Sequence, residues 1–280
     1  APSAAEPTVA AMPEGHTIHR LARDIRRDLA GAAVHAWSPQ GRFADGAARL
    51  DGRTLVRTEA YGKHLFLEWD TSELLYVHLG LIGKFRRKPA PVPEPVGEIR
   101  LRLENDAVAW DLSGPMACAI DDASMRARVL ASAGPDPLRR DADPDRFVAA
   151  LARRSTPIAA ALLDQSAISG IGNVYRAELC FLAGIHPLVP ARQIATAEAK
   201  TLWTLAVDLL EVGVRLNRIV TRAPAEVGVS AYGRVPMDES LYVYKRGGEP
   251  CRRCGTAIVW ADVAGRRVWW CPRCQPSRDA

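Results

Sequence analysis

Cys251-Arg-Arg-Cys254-Gly-Thr-Ala-Ile-Val-Trp-Ala-Asp-Val-Ala-Gly-Arg266-Arg-Val-Trp-Trp-Cys271-Pro-Arg-Cys274 is the stretch that reads most directly as structure. Two Cys-x-x-Cys pairs with sixteen residues between them fit the spacing of a zinc site. Each pair sits on a tight knuckle that aims two thiolates from one turn. Four thiolates complete a closed tetrahedron with no open position for chemistry, so Cys251, Cys254, Cys271 and Cys274 are read as ligands of one structural zinc ion. Between the pairs, 257–260 and 267–270 read as two short strands joined around Ala264-Gly265. Such a hairpin can push side chains into a nucleic-acid groove, and it specifies binding better than catalysis.

Charge supports that reading of the C-terminal module. From Leu241 to the end, eight Lys or Arg (Lys245, Arg246, Arg252, Arg253, Arg266, Arg267, Arg273, Arg278) face three acids (Glu249, Asp262, Asp279), a balance of +5. The whole chain carries 37 basic and 32 acidic side chains, so 29 of each remain for the other 240 residues. All the excess charge lies on the metal-stapled module, as a nucleic-acid-binding domain requires. A solvated surface would account for charge alone. Cys118 and Cys180 stand apart in apolar surroundings and are expected to be buried structural thiols.

At 280 residues and 48% hydrophobic content the chain is expected to form two compact units. It has no apolar run near the roughly 20 residues that cross a bilayer and no secretory pattern, which predicts a soluble, intracellular protein. Residues 1–11 are Ala/Pro-rich and read as a disordered extension. Apolar residues at Ile18, Leu21, Ala22, Ile25 and Leu29 predict a helix over 17–29 that stops at Gly31. The stretches 54–70 and 74–81 are dense in Leu, Val, Phe, Tyr and Trp. Ile99, Leu101 and Leu103 alternate with Arg100, Arg102 and Glu104 as in a half-buried strand, and Asn105-Asp106 turns the chain into 107–112. A leading helix followed by antiparallel strands predicts a β-sandwich domain over 12–133.

Pro, Gly and Asp mark 134–143 as a linker. Asp143-Pro144 and Thr156-Pro157 each set a capping side chain before a proline at a helix start. Helices are predicted over 174–183, closing at Gly184, and over 198–217, with a loop over 218–239. The helical domain thus spans 144–240 and the zinc finger 241–280. The fold class is multidomain α+β.

Met12-Pro13-Glu14-Gly15 offers chemistry. Were Met12 the start and then removed, Pro13 would be a free secondary amine, titrating near pH 8. Such an amine can attack the sugar C1′ of a damaged nucleotide, expel the base and acidify the C2′ proton. Glu14 could move protons to the ring oxygen or the leaving base. Taken alone, these residues read rather as a Pro-Glu that simply precedes a helix.

The wider order of motifs decides between the two. Met12-Pro-Glu-Gly, Tyr61-Gly-Lys63-His64, Val77-His78-Leu-Gly80, Leu162-Leu-Asp-Gln-Ser166, Ile168-Ser-Gly-Ile-Gly-Asn173-Val-Tyr-Arg176 and Leu182-Ala-Gly-Ile-His-Pro187 precede the four-cysteine finger. From Met12 to the C-terminus the series resembles the formamidopyrimidine-DNA glycosylase and endonuclease VIII family. The resemblance implies a β-sandwich, a helix–two-turns–helix unit and a zinc finger, with DNA in the cleft between lobes. It matches Pro13 to the nucleophile and Glu14 to the proton-transfer acid. Lys63, Asn173 and Arg266 match residues that grip phosphates near the lesion, with Lys63 counted in the catalytic set. His78 and Leu81 are expected as further DNA contacts, Leu81 as a wedge in the stack. Asn173, at a helix start, sits where amides and the dipole favour an anion.

The pattern departs from the family in three places. Eleven residues precede Met12, and while they are attached Pro13 has only an amide nitrogen. A second acid often follows the first by three residues, and here that residue is Thr17. Asp111-Leu-Ser-Gly-Pro-Met116 replaces the strand end whose Arg and Phe fill the flipped base's void in oxidised-purine enzymes. The resemblance therefore implies an endonuclease VIII-like glycosylase and lyase acting on oxidised pyrimidines. An oxidised-purine glycosylase, or a non-catalytic damage binder if 1–11 persist, are the alternatives. The implied partner is damaged double-stranded DNA, with single-stranded DNA a further candidate. The implied setting is a monomer on the bacterial nucleoid in the cytoplasm.

Overall fold

A computed structural model describes residues 13–121 and 123–278. The stretch 1–11 expected to be a disordered extension, and Met12, lie outside them. The described chain forms two compact units. One comprises Pro13, Asp24–Thr58 and Phe66–Asp121, and the other Glu14–Arg23, Glu59–Leu65 and the chain from 123 onward. No helix among the described residues is long and apolar enough to cross a membrane.

The leading helix α1 (Gly15–Leu29) buries the five apolar residues whose spacing predicts it. The strands follow as β1 (Ala33–Trp37), β2 (Arg53–Tyr61), β3 (His64–Trp69), β4 (Leu74–His78), β5 (Lys84–Pro89), β6 (Ile99–Asn105), β7 (Val108–Ser113) and β8 (Ala117–Asp121), with a short helix α2 (Ala44–Leu50) after β1. Their order across the sheet is β5-β7-β6-β1-β2-β3-β4-β8. Strand β1 divides its partners along its length: Ala33 and Val34 pair with β2, and His35 to Trp37 pair with β6. A strand shared in this way is how sandwich layers are joined at a corner.

Burial on β6 departs from simple alternation. Arg102, expected on a polar face, is buried and makes a two-pronged ion pair with Asp111 of β7 (Nε to Oδ1 2.7 Å, Nη2 to Oδ2 2.8 Å). Both faces of the ladder are covered there, and a buried cation persists because a buried carboxylate meets its fork. Strands β5 and β8, which the sequence reading did not single out, are the two sheet edges. Edge strand β5 carries charge and little apolar signal, as Lys84-Phe-Arg-Arg-Lys-Pro89, and β8 is only five residues long, Ala117-Cys-Ala-Ile-Asp121.

In the second unit come α3 (Ala123–Ser132), α4 (Pro144–Ala152), α5 (Ile158–Ala161), α6 (Asn173–Leu182) and α7 (Thr196–Leu216). Asp143 caps α4 as expected, accepting from the Asp145 N–H at 2.9 Å. Thr156 caps nothing: Pro157 itself heads α5, which is one turn long. The stretch 218–239 is loop with two short 3-10 turns, organised by Arg218 donating to the carbonyls of Gly233 and Val235. The finger strands β9 (Val259–Val263) and β10 (Arg266–Trp270) are joined by Ala264 and Gly265, both at positive φ (53° and 71°), the two-residue turn that suits strand twist. Cys180 is fully buried and its thiol is pushed up to about 12, whereas Cys118 is only half-buried.

The cost of stranding one member of a buried ion pair is about 3–5 kcal/mol. Arg102→Ala is therefore expected to lower stability by that order, read as a fall in the urea midpoint. A midpoint unchanged from wild type would show that the pair is not a structural constraint.

Candidate active site

Three segments of the second unit meet where side chains are too small to interfere. The Gly15 N–H donates to the Gly170 carbonyl at 2.8 Å, and a Cβ on Gly15 would lie 2.9 Å from the Gly170 Cα. Gly62 has φ +55°, and a Cβ there would meet the Ser169 Cβ at 2.9 Å. Glycine at 15, 62, 170 and 172 lets the backbones of the α1 start, the 61–64 turn and the loop before α6 approach this closely.

Glu14 is buried in that junction. Its carboxylate accepts from the Gly172 N–H at 2.7 Å and the Val174 N–H at 2.9 Å, the free amides at the head of α6. A helix N-terminus favours an anion, and here the anion is a side chain of the protein. Burial pushes the Glu14 pKa up, while the Lys63 charge and the helix amides pull the other way, and the net direction is upward. At the α6 start, Glu14 thus takes the Gly172 and Val174 N–H groups, beside Asn173. The Asn173 Nδ2 donates to the Arg267 carbonyl at 3.2 Å, and its buried Oδ1 has no hydrogen-bond partner.

Lys63 sits half-buried on the turn after Gly62. Burial lowers its pKa; the Glu14 carboxylate opposes this and the Arg266 cation adds to it. Arg266, exposed at the start of β10, is thus close enough for its charge to be felt by Lys63. Two neighbouring cations beside one carboxylate leave an electrostatic place for an added anion.

The Gly62-Lys63 turn is held by a residue that the sequence reading passed over as linker. Asp136 is buried and accepts from the Gly62 N–H (2.7 Å), the Leu138 N–H (2.9 Å) and His19 Nε2 (2.7 Å). Tyr61 donates to the Gly134 carbonyl at 2.9 Å, so the Gly134-Pro-Asp136 stretch is irregular but packed. Its signal in the sequence is an acid inside a Gly-Pro-x-Pro run, where rigid backbone can aim one side chain.

Pro13 directly precedes Glu14 in the chain. The structure brings Glu14, Lys63, Asn173 and Arg266 together within one unit. His78 and Leu81 belong to the other unit, His78 at the end of β4 and Leu81 in the tight turn closed by the Gly83 N–H to Leu79 carbonyl bond (3.0 Å). Leu81 is 55% exposed, Ile82 78% and Met116 71%. A Cβ on Gly80 would meet the Met116 Cβ at 2.9 Å, and one on Gly114 would lie 3.8 Å from Ile82, so the three exposed apolar chains share one rim. Ile82 and Met116 went unnoticed in the sequence because only folding brings their turns together.

At the finger, the four cysteine sulfurs lie within 4.8 Å of one another, with Cys251–Cys274 at 3.9 Å and Cys254–Cys271 at 3.4 Å. A tetrahedron with Zn–S bonds of about 2.3 Å has edges of about 3.8 Å, so the set fits zinc. Gln275 ties the knuckle down, accepting from the Cys271 N–H (3.1 Å) and donating to the Ile185 carbonyl (2.8 Å).

His16 lies behind Glu14, buried edge-on against Tyr175 with ring centroids 5.4 Å apart. Burial lowers its pKa from 6.5 to about 3. Between those values the unfolded chain binds a proton that the folded chain refuses, so stability is lost as pH falls through that window. His16→Gln is expected to flatten this part of a plot of urea midpoint against pH. A variant that keeps the wild-type slope would contradict the assignment.

Three family models match the chain. They are the formamidopyrimidine-DNA glycosylase N-terminal domain over 12–115, the formamidopyrimidine-DNA glycosylase H2TH domain over 133–224 and the zinc finger found in FPG and IleRS over 248–276. Endonuclease 8 1 of Mycobacterium tuberculosis (strain ATCC 25618 / H37Rv) is 46% identical over 270 residues, covering 94% of this chain and 100% of the relative. Formamidopyrimidine-DNA glycosylase of Parafrankia sp. is 34% identical over 280 residues, covering 92% and 89%. A solved complex between Lactococcus lactis Fpg and abasic-site DNA shares the fold at 24% identity and TM-score 0.76, covering 94% of this chain and 100% of that one. The chain therefore belongs to the formamidopyrimidine-DNA glycosylase and endonuclease 8 family of base-excision-repair glycosylases, and its four cysteines hold that finger's structural zinc.

Proposed function

We propose that this glycosylase is bifunctional, removing oxidised pyrimidines through an imine with Pro13 and then cleaving the strand by β- and δ-elimination. The observation that carries the proposal is Glu14, a carboxyl group with a raised pKa, held at the head of α6 directly after Pro13 and beside Lys63. The Pro13 nitrogen attacks C1′, the glycosidic electron pair leaves with the base, and the proton that the amine sheds neutralises that base. Glu14 protonates the ring oxygen as the C1′–O4′ bond breaks, leaving a C1′ iminium. Loss of the C2′ proton then expels the 3′ phosphate, a second elimination expels the 5′ phosphate, and hydrolysis frees the amine. A raised pKa keeps the Glu14 proton available nearer neutral pH, and that supply falls as pH rises through it.

Lys63 and Arg266 supply the charge for the lesion phosphates, and Asn173, whose Nδ2 also donates to the Arg267 carbonyl, is read as a third phosphate contact beside them. Leu81, joined by Ile82 and Met116, is read as the apolar rim that fills the flipped base's place, with His78 at its base. The pyrimidine preference is supported by the 46% identity to a protein named endonuclease 8 and by Asp111-Leu-Ser-Gly-Pro-Met116, which lacks the Arg and Phe expected of oxidised-purine enzymes. Chemistry at Pro13 requires a free amine there, and the family match begins at residue 12. We read 12–133, 144–240 and 241–280 as its domains and 134–143 as the linker. The protein is read as a cytoplasmic monomer acting on duplex DNA, with single strands a further substrate.

In a chain beginning at Pro13, Pro13→Gly is expected to cripple base excision while keeping duplex affinity. Unchanged turnover would remove Pro13 as nucleophile, and a panel of lesion-bearing duplexes separates pyrimidine from purine preference. Gly172→Ala would set a Cβ 2.4 Å from the Glu14 Cδ and displace the carboxylate. Excision is expected to fall by roughly 10²–10⁴-fold with zinc retained. A loss of only a few-fold would contradict the role of Glu14.

A further inference from the structure

Arg176 stands three residues after Asn173, so the two side chains share a face of α6. It is fully buried, and its four hydrogen bonds all go to main-chain carbonyls. Nη1 donates to Ala159 of α5 (3.3 Å) and Val263 (3.2 Å), and Nη2 to Arg266 (2.8 Å) and Arg267 (3.0 Å). Burial draws the guanidinium down to about 10, which leaves it charged at neutral pH.

A buried cation whose partners are neutral carbonyls is an expensive way to fill a core, since an apolar side chain would avoid the desolvation cost. What an apolar side chain could not do is read carbonyls on both sides of the finger turn. Val263 ends β9 and Arg266 begins β10 across Ala264-Gly265, so the planar fork fixes both ends of that turn against α6. Asn173 adds a second bond to the Arg267 carbonyl. The backbone that carries the Arg266 side chain is therefore held at three points, the carbonyls of Val263, Arg266 and Arg267, and the Arg266 charge is felt at Lys63.

We propose that Arg176 is a positioning residue for DNA: by clamping the carbonyls of Val263, Arg266 and Arg267 it holds Arg266 beside Lys63, so that the two cations grip one phosphate. The proposal rests on the reading of Arg266 as a phosphate ligand. It assigns to a side chain that never touches DNA a share of the phosphate contact made by another.

The test measures binding of the full-length, zinc-loaded protein to an abasic-site-analogue duplex across a salt series. Arg266→Ala is expected to reduce the slope of log K against log salt by about one. Arg176→Met is expected to reduce it by the same amount with one zinc still bound per chain. The double variant should bind no more weakly than Arg176→Met, because both changes remove one contact. Arg176→Lys keeps the charge and loses the fork, and should match Arg176→Met; it carries the test if the Met variant does not fold. A wild-type slope in both Arg176 variants, or losses that add in the double variant, would overturn the proposal. An unchanged slope in Arg266→Ala itself would instead overturn the reading of Arg266, and the role of Arg176 with it.

Discussion

The carboxylate of Glu14, seated on the Gly172 and Val174 N–H groups, is the constraint around which the second unit is arranged. A buried carboxylate is tolerated when donors surround it, and the first turn of a helix supplies unpaired donors in a fixed fork. Because both donors are backbone, the bond fixes the start of α1 against the start of α6. Gly15 and Gly170 then close to backbone distance, and the 61–64 turn fits on the same glycine surface.

The same device recurs through the unit. Asp136 clamps the Gly62 and Leu138 amides, and Glu178 accepts from the Tyr242, Val243 and Tyr244 amides as well as the Thr221 hydroxyl. Arg176 does the mirror-image task with carbonyls. Each is a charge carried into the interior and satisfied largely by main chain. Hydrogen bonds to charged groups contribute about 1.5–3 kcal/mol each, and much of that offsets desolvation, so their main yield is position. Position is what proton transfer and phosphate binding need, since an ångström of slack between Lys63 and Arg266 would weaken both.

Periodicity made much of this legible. Ile18 to Leu29 gave α1, the helix expected over 198–217 is α7, and the cysteine spacing gave the finger with its Ala264-Gly265 turn. The edge strands β5 and β8 were not legible, because an edge shows one covered side or none. Arg102 was misassigned because alternation cannot reveal a second covered face, only its partner Asp111 can. At the site, motif order brought out Glu14, Lys63, Asn173 and Arg266. Asp136 and Arg176 were passed over because most of their targets are main-chain groups, which leave no partner residue to read; only the Gly-Pro-x-Pro setting of Asp136 marked it. The helix start at Asn173 pointed to an anion at the head of α6, and it could not show that Glu14 sits there, because Glu14 lies 158 positions from the Gly172 amide that it accepts from.

The central claim is that Glu14 at the head of α6 serves an amine at Pro13. Borohydride trapping on abasic-site DNA, using a chain that begins at Pro13 and peptide mapping of the adduct, tests it most directly. The account predicts a covalent adduct on the Pro13 nitrogen. Tight binding to the same DNA with no adduct, or an adduct mapped to Lys63, would contradict it.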